Sequence, residues 1–264
     1  MDYFEKLDKN PYEDLKWNIP ERKQGAVNVI GGNSGNFRTE VKVAEYLSAN
    51  YPVQDVWLVL PDALKGKLPN LPNFKFLPST DSGGFSESQE LVDVFNSADF
   101  NLVIGDLSRN SVTGRALASA VKSSEKKTLV TRDAVDLITE NSPERLLMNE
   151  NLVFMASVAQ LQKLLRAVYY PKMLLMSSSL MQVAEVLHKF TLSYPVSIVT
   201  LHNGQVLVAR SGVVKAVELA KTGYSAMTIW SGEMAARIVG VNLYNPNQLF
   251  EASMCAMFNK TKLS

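Results

Sequence analysis

The feature of this chain that most constrains its fold is a regular alternation between short apolar runs and longer segments with helical periodicity. Residues 27–30 form a β-branched run that ends at a glycine pair, and residues 38–47 then place apolar side chains at helical spacing. Residues 56–60 are continuously apolar, which is typical of a strand buried on both faces of a parallel sheet. We therefore predict a three-layer α/β/α fold, in which helices cover both faces of a mostly parallel sheet.

The same alternation continues to the end of the sequence. Further strands are predicted at residues 74–77, 101–104, 128–131 and 152–155. Helices are predicted at residues 87–96, 112–121, near 133, 158–168, 180–191, 231–241 and 248–258. Asn203-Gly204 separates two apolar runs, residues 196–201 and 205–209, and Asn-Gly is the strongest short hairpin signal. We therefore expect one antiparallel hairpin late in the chain.

Domain organisation is predicted from length and from the distribution of prolines and charges. Residues 1–25 carry many charges together with Pro11 and Pro20, so we predict an irregular lead-in. Residues 26–264 are predicted to form a single domain, because a domain of this size can bury roughly 70–75% of the surface of its unfolded chain. Residues 61–88 predict a long and mostly irregular connection, of the kind that is often functional.

Composition excludes several classes of function. Lys and Arg total 27 against 26 Asp and Glu, which leaves a formal charge of +1 and little capacity to bind DNA or RNA. The single cysteine, Cys255, cannot form an internal disulfide, and no cluster has zinc-ligand spacing, so we predict no metal site. A charged amino-terminal segment and the lack of any long apolar run predict a cytoplasmic protein that does not enter a membrane.

A glycine-rich string, Gly31-Gly32-Asn33-Ser34-Gly35, follows a predicted strand and precedes a predicted helix. In that setting, backbone N–H groups and the helix dipole can hold an anion. The spacing matches neither G-x-G-x-x-G nor a P-loop, so a plain strand-to-helix turn has equal weight. Asp106 and Asp133 also follow predicted strands, where ligands of α/β proteins bind, although Asp is a common turn and cap residue and that interpretation is favoured for each.

Residues 228–233 read Thr-Ile-Trp-Ser-Gly-Glu and precede an apolar helix. In one interpretation, free N–H groups of this turn hold a phosphate while Glu233 acts as a base or orients a metal-bound water. In the other, Ser231 is an N-cap and Glu233 complements the helix dipole. From the residues alone, the capping interpretation is favoured.

Four strings share their order with the motifs of one enzyme family. Lys23-Gln24-Gly25 precedes a strand and the Gly-Gly-Asn-Ser turn, residues 131–134 read Thr-Arg-Asp-Ala, and residues 226–233 read Ala-Met-Thr-Ile-Trp-Ser-Gly-Glu. These strings resemble the Lys-Gly, Gly-Gly-Ser, Asp-Ala-Asp-Ala and Met-Ala-Thr-Gly-Gly-Ser-Gly-Asp motifs of the ribokinase-like ADP/ATP-dependent NAD(P)H-hydrate dehydratases. The resemblance extends from about residue 22 to the end of the chain.

The resemblance implies a ribokinase-like fold and a nicotinamide nucleotide repair lyase, which uses ATP or ADP to dehydrate hydrated NADH or NADPH. It implies that Glu233 is the catalytic residue and that Thr228, Ser231 and Gly232 bind the nucleotide phosphates. Mg²⁺ is a further candidate cofactor, and a homo-oligomer is implied. The residues implied to bind the substrate are Gly31, Gly32, Asn33, Asp106 and Asp133.

Several positions depart from the family motifs. Ile229 and Trp230 replace two glycines that let the backbone approach a phosphate, and Glu233 extends the catalytic carboxylate by one methylene. The family's Gly-Pro-Gly-Leu-Gly turn corresponds to residues 105–109, and its later His and Glu are absent from residues 155–160. Two alternatives therefore stay open: a non-catalytic nucleotide-binding or assembly protein (a pseudoenzyme), and a small-molecule kinase of the same fold.

Overall fold

The structure is a computed structural model that describes residues 2–8, 20–68, 73–141 and 143–258. Its strands form one sheet. Its strands are β1 Phe4–Leu7, β2 Ala26–Gly31, β3 Asp55–Pro61, β4 Phe74–Leu77, β5 Phe100–Gly105, β6 Lys127–Thr131, β7 Leu152–Met155, β8 Ser197–His202, β9 Gln205–Arg210 and β10 Val213–Glu218. The α-helices are α1 Arg38–Asn50, α2 Gln89–Ser97, α3 Ser111–Ser123, α4 Asp133–Thr139, α5 Pro143–Leu147, α6 Val158–Ala167, α7 Leu180–Ser193, α8 Leu219–Thr222, α9 Ala226–Trp230, α10 Glu233–Asn242 and α11 Leu249–Phe258. Short 3₁₀ helices span Asp62–Leu64 and Pro246–Gln248.

The strand order is β1-β10-β9-β8-β7-β6-β5-β2-β3-β4. Neighbouring strands from β4 to β8 are parallel, whereas β9 is antiparallel to both β8 and β10. The chain leaves β2 towards β3 and β4 on one side and returns to β5 on the other side. The ends of β2 and β5 therefore flank a topological switch point, where open α/β sheets form their ligand crevice.

Helices cover the two faces of the sheet and enclose a core on each. One core packs α1, α10 and α11 against the sheet, and the other packs α2 to α7 against the opposite face. Alternate residues of each central strand point into the two cores, which explains why β2 and β5 are buried along nearly their whole length and, apart from Asn28 and Asn101, are apolar. The prediction of a three-layer α/β/α fold with a mostly parallel sheet is confirmed.

Three features differ from the sequence-based expectations. The lead-in predicted as irregular contains β1, which pairs with β10 at the sheet edge. The late hairpin is extended by β10, whose residues 213–218 were not predicted as a strand. Helix α10 begins at Glu233 and not at 231, because residues 226–230 form the separate short helix α9. Part of the lead-in, residues 9–19, lies outside the described residues.

No helix within the described ranges combines the length and apolar character needed to cross a membrane.

Two buried amides join β2 and β5 to the end of α2. The Asn28 side chain donates to the Val94 carbonyl at 2.7 Å and to Asn101 Oδ1 at 3.0 Å. Asn101 in turn donates to the Phe95 carbonyl at 2.8 Å. Both side chains are fully buried, so these bonds hold the two strands that form the switch point in register with a helix end.

Replacing Asn101 by Ala should lower the free energy of unfolding by about 1–3 kcal/mol, because it removes two buried hydrogen bonds and leaves their partners less satisfied. The exposed Asn96 donates to the Val92 carbonyl and is a matched control, for which Asn96→Ala should change stability by less than about 0.5 kcal/mol. Urea unfolding followed by tryptophan fluorescence measures both. Equal losses for the two variants would contradict this role of the buried amides.

Candidate functional site

The carboxyl ends of β2 and β5 are joined by backbone and side-chain hydrogen bonds. The Gly32 N–H donates to the Gly105 carbonyl at 3.0 Å. One residue further on, the Asn33 amide donates to the Asp106 carbonyl at 2.5 Å. Three predicted substrate residues, Gly32, Asn33 and Asp106, are therefore brought together at the switch point.

Asp133 holds the turn that follows β5. Its carboxylate accepts the backbone N–H of Asp106 at 2.8 Å and that of Leu107 at 3.0 Å. Burial raises the pKa of Asp133, and the two backbone donors partly offset that effect. The turn needs such support, because Asp106 has φ 50°, a left-handed conformation that is unfavourable for a residue other than glycine.

Arg132 connects this turn to the segment before α10. It also has a positive φ, 57°. Its guanidinium forms an ion pair with Asp106 at 2.8 Å and donates to the Trp230 carbonyl at 3.0 Å. Two strained residues thus bond to each other at the strand edge, and strain of this kind concentrates at functional sites.

A cleft of about 650 Å³ opens beside these residues, and we call it the strand-edge cleft. Asp106, Arg132 and Trp230 line one part, and Gln160 and Lys163 of α6 line another. A second hollow of about 340 Å³ shares Arg109, Asp133, Asp136 and Lys163 with the cleft and extends it along α4. A cleft of this size and position suits a small molecule.

The cationic groups of the strand-edge cleft differ in whether a carboxylate engages them. Lys163 pairs with Asp136 at 2.5 Å, and Arg132 pairs with Asp106. Arg109 lines both hollows, is exposed, and has no ion pair with any described residue. The three acidic and three basic side chains that line the cleft balance in formal charge, and Arg109 is the basic one without a carboxylate partner among the described residues.

Glu40 lies beneath the switch point, in the first turn of α1, and is fully buried. Neither of its carboxyl oxygens has a hydrogen-bond partner among the described residues. Burial raises the pKa of Glu40 to about 8, and nearby Asp106 and Asp133 add to the increase. A group of this kind is costly to ionise, so much of it is neutral at pH 7.

The glycine-rich turn after β2 does not leave its amides available for an anion. The N–H of Asn33 donates to the Asn36 carbonyl, that of Ser34 to the Gly83 carbonyl, and that of Gly35 to Asn33 Oδ1. Gly31 precedes them in the β2 ladder. The plain strand-to-helix turn is therefore the interpretation that this geometry favours.

The residues predicted to bind phosphate lie outside this network. Thr228 is in α9, and Ser231 donates to the Thr228 carbonyl at 3.1 Å. Gly232, with φ 91°, is the N-cap of α10, which corrects the assignment of that role to Ser231. The glycine is required there, because a Cβ would collide with Ile104 of β5. Glu233 is the first residue of α10.

Among the described residues, no group of three or more His, Cys, Asp and Glu side chains is arranged to hold a metal ion. We therefore assign no Mg²⁺ ligands.

Sequence reasoning missed Glu40, Arg109 and Lys163. A signal for Glu40 was present, because it lies at helical spacing from Val43 and Leu47 and therefore on the apolar face of α1. Arg109 and Lys163 carried no such signal, since they approach each other only through the folding of α4 and α6 around the cleft.

Known proteins are similar to this chain in structure and not in sequence. No protein-family model matches the chain, and no curated protein is similar to it in sequence. A ribokinase-like superfamily protein of Enterococcus faecalis is 15% identical with a TM-score of 0.67, over 97% of this chain and 86% of the other. An ADP/ATP-dependent NAD(P)H-hydrate dehydratase of Bacillus subtilis, crystallised with ATP and Mg²⁺, is 11% identical with a TM-score of 0.57, over 91% and 82%.

The fold is ribokinase-like. A phosphomethylpyrimidine kinase of Clostridium difficile, 8% identical with a TM-score of 0.50 over 89% of this chain and 97% of the other, has a similar structure. Solved structures of this ribokinase-like kind thus include both a dehydratase and small-molecule kinases. At these identities the likeness establishes the fold, and the activity must be argued from the site.

Gly31 leaves no room for a methyl group between β2 and its neighbours. A Cβ there would lie 2.5 Å from Glu40 Oε1 and 2.6 Å from the Gly105 carbonyl oxygen. Gly31→Ala should therefore lower the free energy of unfolding by about 1–3 kcal/mol. Gly35→Ala is the control, because its Cβ would meet only Asn33 Oδ1 at 3.4 Å, an ordinary contact. Urea unfolding should separate the two variants, and equal stability would contradict the close packing at Gly31.

Glu40 should make stability depend on pH. Its pKa is about 8 in the folded protein against an ordinary value of 4.5, so the folded state holds a proton that the unfolded state loses. Its contribution to stability is present below about pH 4.5 and is lost as pH rises to about 8. Glu40→Gln should gain stability relative to wild type across that window, whereas Glu45→Gln, at an exposed position of α1, should not. Parallel pH profiles of the melting temperature for wild type and Glu40→Gln would contradict this assignment.

Proposed function

We propose that this protein binds a phosphate-bearing small molecule, an adenine nucleotide, in the strand-edge cleft. The observation that supports this most is Arg109, a guanidinium that lines both hollows and has no carboxylate partner in the described structure. Guanidinium groups bind phosphate oxygens through two parallel, charge-assisted hydrogen bonds. The cleft also lies at the carboxyl ends of parallel strands, where ligands of this architecture bind.

The phosphate contacts of this proposal come from side chains and not from a glycine-rich turn. Residues 226–230 form helix α9, and the Trp230 carbonyl oxygen faces Arg132, which donates to it. A carbonyl oxygen repels a phosphate, so the segment before α10 does not resemble a backbone anion hole. In this proposal the phosphate is bound by Arg109, together with the N–H donors of Arg132 and Lys163 that are not already engaged. Nucleotide binding without the catalytic turn corresponds to the pseudoenzyme alternative.

Nucleotide binding predicts a rise in melting temperature with ADP or ATP, because a ligand that binds only the native state stabilises it. Arg109→Ala should weaken binding about tenfold or more, since it removes a charge-assisted contact worth about 1.5–3 kcal/mol. Arg115→Ala is the control, because Arg115 is exposed, pairs with Glu87 and lies outside the cleft. Titration calorimetry measures the affinity of wild type and of both variants for ADP. Equal affinities for the two variants, or no binding by wild type, would contradict the proposal.

A second candidate is the dehydratase activity itself. The position of Glu233 favours it, because this carboxylate begins α10 beside Gly232, which packs against β5 near the switch point. In this candidate Glu233 is the base, and Thr228, Ser231 and Gly232 hold the nucleotide phosphates. The substrate would contact the residues at the ends of β2, β5 and β6, namely Gly31, Gly32, Asn33, Asp106 and Asp133.

Dehydratase activity predicts that hydrated NADH regains its absorbance in the presence of ATP or ADP, relative to a reaction without nucleotide. Glu233→Gln should abolish that recovery, because it removes the base and preserves the size of the side chain. A Glu251→Gln variant on α11 controls for loss of a carboxylate elsewhere. No recovery by a folded wild-type protein that binds ADP would exclude the lyase and leave the binding function intact.

A further inference from the structure

Buried polar atoms without a partner concentrate at the strand edge. Half of those found in the described structure belong to four residues there: both oxygens of Glu40, Asp106 Oδ2, Thr131 Oγ1 and Arg132 Nε. Native proteins leave few such atoms unsatisfied, and the exceptions are often found at functional sites. The strand edge therefore keeps buried polar groups that lower the stability of the fold, as functional sites often do.

Glu40 contributes two of these atoms, the two oxygens of one buried carboxyl group. Its carboxyl group lies against the backbone of the two strands at the switch point, since Oε1 and the Gly105 carbonyl oxygen are 2.5 and 2.6 Å from the position that a Gly31 Cβ would occupy. Gly105 is directly followed by Asp106, the partner of Arg132 in the cleft. The buried carboxyl group of Glu40 thus lies close to Gly105, and the next residue, Asp106, forms the ion pair with Arg132 that the ligand would approach.

The charged groups around Glu40 can be traced element by element. Asp106, after β5, and Asp133, on α4, disfavour its ionisation, and Arg132 favours it. Strands β2 and β5 contain no ionisable side chain. Helix α10, which packs against α1, contributes Glu233 and Arg237, and neither is among the groups that act most on Glu40. Arg132 is therefore the main positive charge that can stabilise an ionised Glu40.

We propose that Glu40, which is buried behind the residues that line the strand-edge cleft, is neutral when a phosphate-bearing ligand is bound there, so that binding takes up a proton from solvent. This inference rests on the proposed function. A phosphate near Arg132 neutralises the charge that favours ionised Glu40 and adds negative charge nearby. The proton goes from water to a carboxyl oxygen of Glu40, and no other bond changes. By linkage, ionisation of Glu40 weakens ligand binding by the same factor.

The test is the pH dependence of ADP binding to the full chain. Phosphate groups of nucleotides ionise near pH 6, so measurements from about pH 7.5 to about pH 9.5 isolate the protein's own proton. Wild type should bind ADP about tenfold more weakly at the upper limit, and calorimetry in two buffers of different ionisation enthalpy should show proton uptake. Glu40→Gln should show neither effect, and Glu45→Gln should behave like wild type.

Each outcome separates this inference from the proposed function. No ADP binding at any pH overturns the proposed function. Binding without proton uptake, or an equal pH slope in wild type and Glu40→Gln, overturns the role of Glu40 alone. If Glu40→Gln does not fold, infrared spectroscopy of wild type decides: a protonated carboxyl band that titrates near pH 8 and persists to higher pH with ADP supports the inference, and an unshifted band overturns it.

Discussion

The reversal of strand order between β2 and β5 is the constraint on which the rest of the structure depends. Because the chain leaves β2 in one direction and resumes at β5 in the other, no crossover connection covers the ends of these two strands. Gly31 lets the two strand ends approach closely, because a Cβ there would collide with the Gly105 carbonyl oxygen, and a Cβ at Gly105 would collide with Asp133. The candidate site lies at this junction, with Glu40 buried against the strand ends and Arg109 exposed in the segment after β5.

Strained backbone and buried charged groups occur together at the junction. Asp106 and Arg132 adopt left-handed backbone conformations and pair with each other, while Asp133 accepts the amides of the turn. Glu40 is buried without a hydrogen bond, which costs stability whenever it ionises. Packing of two large apolar cores on the sheet offsets these costs. The two cores therefore stabilise the folded state, and the strained and unpaired groups at the strand edge lower that stability.

The fold was predictable from the sequence to a greater extent than the site. Predominantly apolar runs identified β2, β3 and β5, because burial on both faces leaves few polar residues in a strand. The edge strand β1 has an exposed middle and left no such mark. In the site, strand-end position identified Asp106 and Asp133, but it could not indicate that Trp230 would meet Arg132, a contact between residues 98 positions apart. Such pairings depend on the packed tertiary structure and not on local pattern.

A crystal structure of the protein grown with ADP tests the central claim most directly, because it locates the phosphates relative to named side chains. Phosphate oxygens should lie within hydrogen-bond distance of the Arg109 guanidinium, in the cleft between Lys163 and Trp230. Phosphates held instead by the backbone amides at the start of α10, with the Arg132 contact to Trp230 broken, would contradict it. That result would return the site to the backbone anion hole of the dehydratase motif.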